Sequence, residues 1–63
     1  MKRVIVIGLG IFGLNIVREL YEGGFEVYAL DKSKDAVQRA RDFSTKAIVA
    51  DGTDKEVMEL IGI

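Results

Sequence analysis

The run "VIVIGLGIFGLNIVREL", residues 4–20, decides how the rest of the chain is read. It opens with four β-branched apolar residues in a row, the composition of a strand covered on both faces. It closes with apolar residues at helical spacing, Leu14, Val17 and then Tyr21 in one stripe with Ile16 and Leu20 beside them. Between the two halves stand Gly8, Gly10 and Gly13, spaced as G-x-G-x-x-G. A strand over Arg3 to Ile7, a glycine turn and a helix over Ile11 to Glu22 are predicted in that order, and this is how a β-α-β unit begins.

Working outward, the same alternation repeats. Gly23 and Gly24 stop the first helix, because a helix often ends on a residue in the left-handed region that glycine adopts cheaply. A second strand follows over Glu26 to Leu30. Ser33 then caps a second helix, with Asp35 in its first turn and Val37, Ala40 and Phe43 on its inner face. A third strand runs over Ala47 to Ala50, and "TDKE" at Thr53 to Glu56 has capping-box spacing for a third helix that turns Val57, Leu60 and Ile61 inward. Residues 1–63 thus read as one α/β unit, the Rossmann-like three-layer half of a doubly wound fold. Right-handed crossovers order its parallel strands 3-2-1. The apolar first and third strands are expected to be interior ones. The outer side of the first strand is left open in that order, a template for pairing with a second copy of the chain.

Composition narrows the chemistry. A chain of 63 residues buries only about 60% of its unfolded surface, so its stability is expected to lean on something further. With no Cys and no His, disulfides, zinc sites and imidazole catalysis are excluded, and a partner chain remains. The formal charge of -1 gives no electrostatic reason to expect nucleic acid. The apolar runs are too short for a membrane span or a signal peptide. The expectation is a soluble cytoplasmic chain without a metal centre.

The glycines gain meaning from what surrounds them. Gly8 permits the tight turn out of the strand, Gly10 lets a pyrophosphate approach the backbone, and Gly13 lets the helix pack closely on the sheet. Amides at the helix N-terminus then face the phosphates. Asp31 ends the second strand about 20 residues on, where a carboxylate accepts both ribose hydroxyls and repels a 2′-phosphate, favouring NAD(H) or an adenine nucleotide over NADP(H). Lys32 reads either as a cover over the adenine or as a solvated side chain. Asp51 reads either as a contact to the adenine side or as a turn residue before Gly52. A purely structural reading of the glycines and Asp31 also exists. No residue looks catalytic: Tyr28 sits mid-strand, where packing explains it.

Together "VIVIGLGIFGLNIVREL", "VYALDKS" and "AIVADGTD" resemble the nucleotide-binding domain of the TrkA/KtrA-type potassium-transport regulators, the RCK or KTN domains. The resemblance covers essentially the whole chain, with the Gly-Leu-Gly-x-Phe-Gly loop, Phe12 included, and the Asp-Gly-Thr-Asp segment as its marks. It implies a non-catalytic cytosolic Rossmann domain, peripheral to the inner membrane, that binds NAD(H) or ATP/ADP and gates a membrane potassium channel or transporter subunit by changing shape. Carried over, Gly8, Gly10 and Gly13 match the phosphate loop, Asp31 the ribose acid and Asp51 the adenine-side acid. Ile11 departs from the pattern, since many members have Arg there to meet phosphates. Family domains also continue for about as many residues again, which implies an N-terminal half here, a fragment. Two alternatives stand beside this reading: the cofactor-binding portion of an NAD-dependent oxidoreductase, and a half-domain that folds only as a homodimer and has lost its ligand.

Overall fold

The computed structural model describes residues 2–51, 54–60 and 62. Its elements are β1 (Arg3–Ile7), α1 (Ile11–Glu22), β2 (Glu26–Asp31), α2 (Lys34–Ala40) with a 3-10 turn over Arg41–Phe43, β3 (Lys46–Val49) and α3 (Lys55–Leu60). The sheet is parallel and ordered β1-β2-β3, the predicted 3-2-1 order read from the other side. Arg3 stands beside Glu26 and Ile7 beside Leu30, and Leu30 stands beside Ile48 on the far side of β2.

Because strand side chains alternate, this register sorts them into two faces. Val6, Val27, Ala29 and Ala47 share the face onto which α1 and α2 pack through Leu14, Val17, Leu20, Ala36, Val37 and Ala40. Val17, Val27 and Ala40 are wholly enclosed there. Burying a Val or Leu side chain stabilises by about 1.5–3 kcal/mol, so this one face supplies much of the fold's free energy. The opposite face carries Arg3, Ile5, Tyr28 and Leu30. The Arg3 guanidinium lies over the Tyr28 ring, 4.8 Å from its centroid, and its Nε donates to Glu26 Oε1 at 2.6 Å. A Cβ on Gly62 would stand 3.1 Å from Arg3 Nη1. Gly62, after α3, therefore lies near the amino end of β1 on this second face.

The local signals account for the element ends. Ser33 Oγ accepts from the Ala36 amide and opens α2. After α1, the Gly24 amide donates to Tyr21 and the Phe25 amide to Leu20, with Gly24 at φ 91, a Schellman termination whose left-handed residue is Gly24 and not Gly23. At α3 the Glu56 amide, expected to donate to Thr53, donates instead to Asp54 Oδ1 at 2.9 Å, directly before the helix. The Thr53 half of the expected capping box lies outside the described residues, as do Ile61 and the Leu60 side chain; Val57 is half-buried.

Two expectations are corrected. Among the described residues β1 and β3, expected as interior strands, lie at the edges of the three-stranded sheet and are only partly covered, while β2 between them carries the buried Val27, Ala29 and Leu30. Apolar composition measures how readily a strand is covered, whereas crossover handedness sets where it lies, and handedness decided. Tyr21 is not on the inner face of α1 but 42% exposed.

Candidate functional site

All three strands point their carboxyl ends the same way, so the loop after β1, the end of β2 and the segment after β3 meet at one edge. The Gly8 amide donates to the Leu30 carbonyl at 2.9 Å, continuing the ladder one step beyond β1. At φ 96 Gly8 then turns the chain out of the sheet, a conformation that a side chain would strain.

Each glycine meets different surroundings. A Cβ on Gly13 would stand 2.0 Å from the Gly8 carbonyl oxygen, so the first turn of α1 sits against the strand end and only glycine fits. A Cβ on Gly10 would meet nothing within 4 Å. Gly10 caps α1 in an ordinary extended conformation and offers no side chain to the first-turn amides. Open space before uncapped, dipole-aligned amides is what an approaching phosphate needs. Ile11 and Phe12, the next two residues, are 86% and 79% exposed and flank this opening with apolar surface and no charge.

Asp31 closes the other side of the loop. Its Oδ2 accepts from the Leu9 amide at 2.6 Å and its Oδ1 from the Ser33 amide at 2.8 Å. Sequence reasoning named Asp31 but missed Leu9, because the donor is a backbone amide and no side-chain type announces it. Leu9 is itself buried, packed with Val17 and Ala29. A carboxylate oxygen accepts more than one hydrogen bond, so both Asp31 oxygens retain acceptor positions for hydroxyl groups. Lys32 and Asp51 form a separate, exposed pair at the same edge, Nζ to Oδ2 3.8 Å. The Ala50 amide bonds the Asp31 carbonyl and so carries β3 to this edge. Gly8, Gly10, Gly13 and Asp31 thus surround Leu9 as one unit, with Lys32 and Asp51 beside it. Among the described residues no cluster of acidic side chains could hold a metal ion, and no helix is long and apolar enough to cross a membrane.

The amides of Leu9, first, and Ser33, second, hold the Asp31 carboxyl below the usual carboxylate range. A carboxyl depressed by folding contributes stability above its unfolded pKa, and that contribution is lost as pH falls through the folded value. In acid titrations followed by circular dichroism, Asp31→Asn is therefore expected to lose less stability than the parent below about pH 4. Parallel curves would contradict the bonding.

The sequence profile of the TrkA-N domain matches residues 4–63. Among curated proteins, the chain is 44% identical over 57 residues to the Ktr system potassium uptake protein A of Vibrio alginolyticus, an alignment covering 90% of this chain and 26% of that protein. It is 39% identical over 62 residues to the Ktr system potassium uptake protein C of Bacillus subtilis (strain 168), covering 98% and 28% respectively. Its identity to the Ktr system potassium uptake protein A of the same Bacillus is 37% over 62 residues, with the same coverage. The chain spans about a quarter of the length of these curated relatives.

Proposed function

The chain belongs to the TrkA-N domain family, and from that premise we propose that it is a regulatory nucleotide-binding module, or half of one, for a potassium uptake system. Its ligand is NAD(H). Gly8 and Gly10 leave the pyrophosphate room at the first-turn amides of α1, and Asp31 receives the ribose hydroxyls. The observation that carries this reading is the open space at Gly10 beside the Asp31 carboxylate, a backbone cradle with an acceptor next to it. NAD(H) would bring a pyrophosphate whose charge the helix dipole and amides offset, and the protein's part is to bind and orient it.

The module acts by shape. A ligand that prefers one arrangement of the loop shifts the population toward it, and a membrane potassium channel or transporter subunit at the cytoplasmic face reads that shift. The relatives' names support the transport setting: each is called a Ktr system potassium uptake protein. An oxidoreductase reading has less support, since Tyr28 lies mid-strand under Arg3, away from the loop. The module works as an oligomer, the outer edge of β1 pairing with a second copy. Sedimentation at micromolar concentration is expected to give a species heavier than the monomer, and a stable folded monomer would remove that contact.

Calorimetric titration with NADH and NADPH tests the ligand. The Asp31 carboxylate faces the 2′ position, where a phosphate brings like charge, so NADH is expected to bind at least about tenfold more tightly. Equal affinities would remove Asp31 from the ribose.

A further inference from the structure

Two glycines flank Leu9, and glycine has the widest backbone freedom of any residue. Left alone, a Gly-Leu-Gly turn samples many shapes, and a ligand that needed one of them would bear the whole cost of ordering it. Two contacts restrain this turn. The Leu9 side chain is anchored in the core with Val17 and Ala29. The Leu9 amide is held from the other side by Asp31 Oδ2, across 22 residues of sequence. Asp31 is itself held in orientation by the Ser33 amide on its second oxygen. The carboxylate therefore ties the β1–α1 turn to the β2–α2 turn.

We propose that Asp31 is a positioning residue for the phosphate loop as well as an acceptor for the ribose, fixing the Gly8–Gly10 turn in its binding shape before a nucleotide arrives. The proposal rests on the nucleotide-binding reading above and adds a consequence that a ribose acceptor alone would not have. Removing Asp31 weakens binding of a ligand that has no ribose. It does so because the loop amides lose their fixed direction, which costs any phosphate that meets them.

Amide hydrogen exchange by NMR on the ligand-free parent and Asp31→Ala, together with titrations of inorganic pyrophosphate and NADH, tests it. In Asp31→Ala, exchange at Leu9 is expected to accelerate about tenfold or more, the scale of losing a bond to a charged group, with Val17 and Ala29 unchanged. Pyrophosphate and NADH affinities are both expected to fall. Unchanged exchange at Leu9, or unchanged pyrophosphate affinity with NADH alone weakened, would overturn the proposal and leave Asp31 a ribose acceptor. If the parent binds neither ligand, the nucleotide reading fails and the loop-fixing role is decided by the exchange comparison alone. Should Asp31→Ala not fold, a through-hydrogen-bond coupling between the Leu9 amide nitrogen and the Asp31 carboxyl carbon in the parent supports the role, and its absence overturns it.

Discussion

Gly13→Ala is expected to lower the melting temperature of the chain by roughly 15 °C or to abolish its cooperative transition. The added Cβ would stand 2.0 Å from the Gly8 carbonyl oxygen and 3.1 Å from its carbon, and the obstacle is backbone, which has no rotamer to change. Gly8 cannot withdraw, since its own amide is bonded to Leu30 in the ladder. The first turn of α1 must therefore lift from the sheet by about an ångström or more, opening the contact through which Val17 and Leu14 are buried. Overpacking of this kind costs about 1–3 kcal/mol and sometimes more, and a carbonyl clash belongs at the upper end. Each kcal/mol moves the melting temperature of a domain this size by about 4–8 °C, so a fall of roughly 15 °C or loss of the cooperative transition is expected in a thermal melt. A shift below about 2 °C would mean that α1 does not rest on Gly8.

Gly10→Asp should do the opposite to the fold and worse to the ligand. A Cβ there meets nothing within 4 Å, and Gly10 already has ordinary extended dihedrals at the cap of α1. Aspartate is among the best N-cap residues, and its charge suits the helix dipole, so a gain of about 0.5 kcal/mol is expected. The carboxylate would satisfy the amides of Phe12 or Gly13 that a phosphate needs, and would repel the phosphate besides. Hydrogen bonds to a charged group are worth about 1.5–3 kcal/mol each, so NADH affinity should fall on the order of 100-fold or more. A melting temperature at or above the parent's with calorimetric binding abolished is the expected pair of results. Unimpaired binding would show that the ligand does not use these amides.

The contrast between those two glycines was legible in the sequence, because strand, turn and helix follow one another within residues 4–20 and each glycine has a different mechanical task there. The bounds of β1 and α1 fell where composition and period put them. Tyr21 did not: it shares the stripe of Leu14 and Val17, but period fixes a direction around a helix and not how far the neighbouring layers extend along it. β3 begins at Lys46, a residue that apolar composition does not flag. α2 is cut to seven residues by the 3-10 turn at Arg41–Phe43, for which no glycine or proline gave warning. At the site, Asp31 was readable from its distance to the glycines, whereas its bond to Leu9 was not. That donor belongs to the backbone, and only the β1–β2 register brings it within reach. Similarly, the pairing of Lys32 with Asp51 follows from β2 and β3 being neighbours and from no local motif.

A dinucleotide is proposed to bind at the carboxyl edge of the sheet through the glycine turn and Asp31. Amide chemical shifts of the isotopically labelled chain during an NADH titration test it most directly. Saturable changes are expected at Gly8, Leu9, Gly10, Ile11, Phe12 and Gly13 and at Asp31 and Lys32, with the amino edge at Arg3, Glu26 and Lys46 unmoved. Saturation with no change at the glycine turn, or changes confined to the amino edge, would contradict it.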